Sequence, residues 1–306
     1  MSFAKSLFVL IDKVCDGGQN KKKMLKFKGV EFKEQKDIPY GSADIQKLDI
    51  CYLPKTNGEK YPVCFCIHGG GFVAGDKYYR RGLCKWIADK GFFTVDVNYS
   101  LAPEVKFPAA IHDIVAALNW VGENAEKYNL DLDNMLITGD SAGGYYSAML
   151  ACIATNEKLQ ERFGLKVNEG LRFRTAMLDC GIYDMNEALG QKMIFNLTDK
   201  ILFDFCDIHI PQLASYEYKD VLAPYDFVDE NFPISFITYA EKDIFCNGQG
   251  QKLIKKLQGL GVKVYSHHST KFLDNHCYPL NWDKGAAKEN VKLMAAFLKR
   301  VAAKQI

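Results

Sequence analysis

From Tyr61 onward the chain alternates short apolar, β-branched and aromatic runs with longer stretches whose apolar residues recur every three or four positions. The runs Tyr61–Ile67, Phe92–Val97, Met135–Thr138, Thr175–Leu178, Ile234–Tyr239 and Val262–Tyr265 predict strands. Most are nearly continuous in apolar residues, as strands covered on both faces must be. Between them, Leu83–Asp89, Pro108–Val121, Ala142–Ala154, Gln249–Leu260 and Lys284–Ala303 carry helical periodicity, and Pro108 suits a first helical turn, where its missing N–H costs nothing. This alternation predicts an α/β fold with a mostly parallel central sheet flanked by helices. Upstream, Val30–Ile38 and Ile45–Leu53 predict two antiparallel edge strands.

Two regions break the alternation, residues 1–28 and residues 184–230, and each holds a helical, aromatic-rich stretch, Ser6–Val14 and Lys192–Phe205. Excursions of this length in a compact domain are more often lids or binding elements than idle loops. The expectation is a two-piece helical cap in which Phe3, Leu7, Leu10, Ile11 and Val14, together with Phe195, Leu202 and Phe205, roof a site. The competing reading packs Ser6–Val14 on the outside of the sheet as an ordinary amphipathic helix. No Pro/Gly/Ser-rich linker or internal repeat divides residues 1–306, so the pattern predicts a single domain with insertions.

Composition narrows the function. With 306 residues, 48% hydrophobic and 25% charged, the chain can bury a large core. A formal net charge of +2 offers no electrostatic footprint for nucleic acid, and Lys21-Lys22-Lys23, without interleaved aromatics, reads as a solvated turn. The apolar stretch Leu7–Ile11 is shorter than the roughly 7–15 residues of a signal-peptide core, and nothing approaches the ~18 of a membrane span. A cytoplasmic protein is expected, and the sequence leaves room for a homodimer. Its ten cysteines are scattered without zinc-type spacing, so they read as reduced thiols, with no metal and no cofactor expected.

Two strings carry chemistry. Gly139-Asp140-Ser141-Ala142-Gly143 fits G-x-S-x-G, and the apolar run before it with the small-residue stretch after it supplies the strand–turn–helix context of a nucleophile elbow. His68-Gly69-Gly70-Gly71 directly follows an early strand, where exposed backbone N–H groups can stabilise an oxyanion. Composition alone would place both strings in one chain with a probability on the order of 10⁻⁴. The glycines are not a phosphate cradle, because neither a P-loop lysine nor G-x-G-x-x-G accompanies them.

With these strings the chain resembles the hormone-sensitive-lipase-like family of α/β-hydrolases, whose elbow reads Gly-Asp-Ser-Ala-Gly-Gly as Gly139–Gly144 does here. Asn98-Tyr99-Ser100-Leu101-Ala102-Pro103-Glu104 and Phe107-Pro108-Ala109-Ala110 extend the likeness, which covers about residues 45 to 300. Asn98 and Ser100 depart from the aspartate and arginine usual in the family. The resemblance implies Ser141 as nucleophile, Asp243 of Ala240-Glu241-Lys242-Asp243 as acid with Glu241 its rival, and an oxyanion hole from the N–H groups of Gly70, Gly71 and Ala142, with Gly69 as alternative. The chain order Ser, Asp, His leaves His267, His268 and His276 as bases, and the family's register favours His276 although Cys277 and Tyr278 replace its Gly-Phe. His112 and His209 read as structural. The implied activity is a carboxylesterase for short to medium acyl esters, its partner a small-molecule ester. Lys47–Pro54 also resembles a segment of bacterial acetyl- and feruloyl-esterases, which brings in acylated carbohydrates and plant phenolic esters. An amidase or formamidase would use the same triad, and a non-hydrolytic ligand receptor would share the fold.

Overall fold

The computed structural model describes residues 1–306 except 57 and 192. Its strands, in chain order, are β1 (Lys33–Pro39), β2 (Lys47–Tyr52), β3 (Tyr61–Ile67), β4 (Phe93–Val97), β5 (Leu130–Asp140), β6 (Thr175–Asp179), β7 (Ile234–Ala240) and β8 (Val264–Ser269). They form one sheet in the order β1-β2-β4-β3-β5-β6-β7-β8. β2 runs antiparallel to both β1 and β4, and every pairing from β4 to β8 is parallel. The parallel sheet follows from composition: β3, β4 and β6 are buried at every position and tolerate solvent on neither face.

Of the two upstream strands only β1 is an edge, since β2 is enclosed between β1 and β4. The last strand lies further along than its apolar run predicts, because His267, His268 and Ser269 pair with Thr238, Tyr239 and Ala240. There the hydrogen-bond ladder outweighs side-chain preference.

The α-helices are α1 (Phe3–Ile11), α2 (Gly17–Lys26), α3 (Arg81–Ala88), α4 (Ala109–Glu123), α5 (Ala142–Ile153), α6 (Glu157–Phe163), α7 (Met185–Gly190), α8 (Leu197–Cys206), α9 (Gln249–Gly259) and α10 (Ala287–Ala302). Side chains alternate across the sheet. Cys64, Leu136, Met177 and Phe236 join the cluster of α3 and α10, while their neighbours Phe65, Ile137, Leu178 and Ile237 join that of α4, α5 and α9. No helix among the described residues is long and apolar enough to cross a membrane. All ten cysteines are free thiols.

Residues 1–28 fold as α1, a π-helical turn over Asp12–Asp16, and α2. The inner stripe of this unit is Ala4, Phe8 and Asp12, while Phe3, Leu10 and Val14 are exposed. The stripe expected from apolar spacing is thus rotated, and its inner edge ends on the carboxylate of Asp12. α1 packs on Val73, Ala74, Ala102 and on Leu197 of α8. Lys21-Lys22-Lys23 is helical rather than a turn, and Lys23 is buried with its ammonium 4.9 Å from the Trp282 ring. Burial pushes its pKa down to about 7.

In the 184–230 segment, α7, α8 and a series of 3-10 turns replace the predicted single stretch, whose first residue, Lys192, lies outside the described residues. Leu202 and Phe205 are buried and Phe195 is exposed. Phe205 stacks on Phe72 with ring centroids 4.2 Å apart.

Asn20 joins the N-terminal unit to the sheet layer. Its side-chain oxygen accepts the Gly82 N–H at 2.8 Å, and its amide donates to the Tyr78 carbonyl at 2.7 Å. Asn20→Ala leaves the buried Gly82 N–H without a partner, so we expect a loss of about 1–3 kcal/mol in urea unfolding.

Candidate active site

β5 ends at Asp140 and α5 begins at Ala142, so Ser141 alone makes the turn, at φ 53° and ψ −121°. A non-glycine residue held at positive φ is strained, and surrounding packing must hold it there. The Ser141 N–H donates to the Asp179 carbonyl at 2.9 Å. Gly143 permits the close approach of β3, since a Cβ there would lie 2.1 Å from the Ile67 carbonyl oxygen; one on Gly139 would lie 2.4 Å from that of Gly143.

Above the elbow, His276 Nε2 lies 2.8 Å from Ser141 Oγ, and its Nδ1 lies 2.9 Å from both Asp243 oxygens. Asp243 also accepts the N–H groups of Phe245 at 2.9 Å and Cys246 at 2.8 Å. Burial opposes the ionised carboxyl, but the His276 charge and these hydrogen bonds hold its pKa below the ordinary range. Burial likewise opposes the imidazolium, yet Asp243 raises the His276 pKa above 6.5.

Glu241 is exposed and does not meet the imidazole. His267 is buried in β8 with Nδ1 2.5 Å from the Tyr278 hydroxyl, and His268 stacks on Tyr239, so neither takes part in the cluster. His112 is exposed on α4, and His209 pairs with Asp199 at 2.7 Å. The structure therefore brings together Ser141, Asp243 and His276 of the residues singled out by sequence.

Across the cleft, Gly70 and Gly71 have φ of 131° and 59°. Neither their N–H groups nor that of Ala142 donates to a protein acceptor among the described residues. His68 is fully buried and its Nδ1–H donates to the Gly69 carbonyl at 2.7 Å, while burial lowers its pKa to about 4 and keeps it neutral. Its ring stacks on Tyr99 at 4.4 Å, and the Tyr99 hydroxyl donates to the His68 carbonyl at 2.7 Å. Asn98 accepts the Lys77 N–H at 2.7 Å and donates to Asp76 at 2.9 Å, a neutral tie in place of an ion pair at that position.

Sequence reasoning missed Arg80. Its Nε and Nη2 donate to the two Asp140 oxygens at 2.5 and 2.6 Å, and Nη1 reaches Asp16 at 2.9 Å. Arg80 and Asp140 are both buried. Burial would raise the Asp140 pKa, but Arg80 holds it below the ordinary range. The signal was present: an aspartate beside the nucleophile, at the end of a buried strand, requires a cation, and Lys77 to Arg81 contains three.

A cavity of about 290 Å³ opens on Ser141. Gly70, Arg80, Asp140, Phe245, His276 and Cys277 line it from the main fold, and Phe8, Ile11, Asp12, Cys15, Asp16 and Gln19 from the N-terminal unit. Residues 184–230 contribute nothing to this lining among the described residues. Phe8 lies against Gly71, where a Cβ would come within 2.4 Å of its ring, and its ring centroid is 5.6 Å from that of Phe245. Among the described residues, two groups offer closely spaced ligand atoms for an ion, Cys66, Cys84 and Asp96 in the core, and Asp243, Cys246 and His276.

The BD-FAE family model matches residues 48–257. The carboxylesterase NlhH of Mycobacterium tuberculosis is 39% identical over 218 residues, 70% of this chain and 66% of the relative. Esterase LipQ of the same organism is 28% identical over 236 residues, covering 76% of this chain and 54% of the relative. The first curated relatives are matched over about a third to two thirds of their own length. The crystal structure of esterase B from Lactobacillus rhamnosis shares the fold, with a TM-score of 0.76 at 21% identity over 98% of this chain and 97% of that one.

Arg80→Met should cost about 3–5 kcal/mol in denaturant unfolding, because it strands the buried Asp140 carboxylate. Arg80→Lys should recover only part of that loss, since an ammonium cannot form the two-pronged contact.

Proposed function

The chain belongs to the BD-FAE family and is a hormone-sensitive-lipase-like α/β-hydrolase, and from that premise we propose that it is a serine carboxylesterase acting on small esters of short to medium acyl chain. The observation that carries the reading is the single imidazole bridging Ser141 Oγ and the Asp243 carboxylate. His276 Nε2 takes the Ser141 proton as Oγ attacks the ester carbonyl, while Nδ1–H remains on Asp243, which fixes the tautomer and stabilises the imidazolium. The N–H groups of Gly70, Gly71 and Ala142 donate hydrogen bonds to the developing oxyanion without first releasing another acceptor. His276 then returns the proton to the leaving alcohol, and the same base activates water to hydrolyse the acyl-enzyme.

Residues 1–306 act in this reading as one domain in which 1–28 and 184–230 form the cap with unequal roles. The N-terminal unit lines the cavity through Phe8 and Ile11, and the second segment supports it from behind through α8. The cavity size and its apolar side suit a short or medium acyl chain.

Ser141→Ala and His276→Ala should each reduce turnover of p-nitrophenyl butyrate by about 10⁴-fold or more while unfolding as the wild type does. Retention of more than about 1% of the rate by Ser141→Ala would refute the assignment. In kcat/KM the rate should rise with pH along a single limb centred above 6.5, because only neutral His276 can accept the proton and its pKa is raised above that value. Phe8→Ala, which enlarges the cavity beside Gly71, should shift preference toward longer acyl chains in a series from acetate to decanoate. An unchanged profile in the folded variant speaks against the cap.

A further inference from the structure

We propose that Cys66, Cys84 and Asp96 bind one thiophilic divalent cation, zinc by the chemistry of the donors, and that the ion ties β3, β4 and α3 together. The site uses no residue of the triad and does not rest on the esterase reading. Its three residues come from three elements, so no spacing along the chain marks them. Asp96 pairs with Cys66 in the parallel register of β4 with β3, which puts both side chains on one face of the sheet. Cys84 reaches them from α3. The two sulfurs and a carboxylate oxygen all lie within 4.8 Å of one another, and the three residues are only 1–2% exposed.

A second observation is the state of that carboxylate. Both Asp96 oxygens are buried without a hydrogen-bond partner among the described residues, and an unpartnered buried carboxylate is costly. The adjacent Cys84 thiol is too weak a donor to satisfy it. Asp49 stands directly opposite across the β2–β4 pair and adds like charge. The cations of this region are committed elsewhere: Lys77 to Asp37 and Asp49, Arg81 to Asp49, and Arg80 to Asp140 and Asp16. Protonation does not remove the deficit, since a neutral carboxyl would bury its O–H among thiols, which are weak acceptors.

Two thiolates and a carboxylate form a donor set that suits zinc. Ligand atoms around tetrahedral zinc are about 3.3–3.8 Å apart, so the side chains close in by roughly 1 Å when the ion enters. Coordination releases the two thiol protons and any proton on Asp96, and the ion leaves the set with a single negative charge in the field of Arg80. A cavity of about 10 Å³ reaches Cys84 and Asp96 between Glu34, Arg81 and Lys85, with room for one water as the fourth ligand.

The test uses the whole protein, stripped with a chelator, kept under a phosphine reductant and dialysed against zinc or cobalt(II). We expect about one equivalent of zinc per chain by elemental analysis after desalting, and a Tm that rises with zinc concentration. Cobalt(II) should give the sulfur-to-metal absorption of two thiolates in a tetrahedral field. Cys84→Ser should weaken zinc binding by more than the roughly 10- to 100-fold that loss of an outer-shell partner costs, while His276→Ala leaves it unchanged. A wild type that retains no zinc overturns the proposal, as does binding that Cys84→Ser leaves intact. Binding lost in His276→Ala would place the ion on Asp243, Cys246 and His276 and overturn it equally. Should Cys84→Ser fail to fold, the cobalt spectrum of the wild type decides: that second group holds one cysteine, so absorption from a single thiolate, or from none, overturns the proposal.

Discussion

The two-pronged contact between Arg80 and Asp140 is the constraint around which the site is arranged. Asp140 closes β5 one residue before the strained turn at Ser141, in a region packed closely enough that a Cβ on Gly69 would lie 2.5 Å from its carboxylate. A charge placed there is tolerable only with a fitted partner, and a guanidinium matches both oxygens at once. Arg80 directly precedes α3, and its third contact goes to Asp16 of the N-terminal unit. One buried cation thus joins the end of the central strand, the helix behind it and the segment over the cavity.

The electrostatics of the cleft follow from that arrangement. With Arg80 committed, the cluster has two carboxylates of opposite character. Asp243 is held ionised by His276 and two N–H groups, whereas Asp12 is pushed up to about 7. The raised pKa of His276 reflects the same imbalance, since after Asp243 the next contributions come from Asp140 and Asp16. A site rich in carboxylates favours the imidazolium that forms as Ser141 loses its proton in the proposed mechanism. The N-terminal unit therefore contributes charge as well as shape.

Much of this was legible along the chain. Strand and helix alternation in the parallel half followed from local periodicity, because strands buried on both faces must be apolar throughout. The glycines at 139 and 143 could be read as close-approach positions from the elbow pattern. Ser141, Asp243 and His276 could be named because the elbow pattern marks the serine and the family resemblance supplies the register that chooses Asp243 over Glu241 and His276 over His267 and His268. Periodicity misjudged the places where a polar residue is buried for a tertiary reason: Lys23 in a supposed turn and Asp12 on the inner stripe of the N-terminal unit.

By itself, then, the sequence determined the alternation of strands and helices, the mostly parallel character of the sheet and the identity of the residues at the elbow, since these depend on hydrophobic burial and steric allowance within a few residues. Only the tertiary structure decided which charges meet. The Arg80 contact with Asp140 spans 60 positions and that with Asp16 spans 64, distances at which no local pattern reports pairing. It also decided that the N-terminal unit lines the cavity while residues 184–230 stand behind it. That outcome depends on how α1 docks between α8 and the loop after β3, and docking is set by the fit of packed surfaces whose partners lie far apart in the chain.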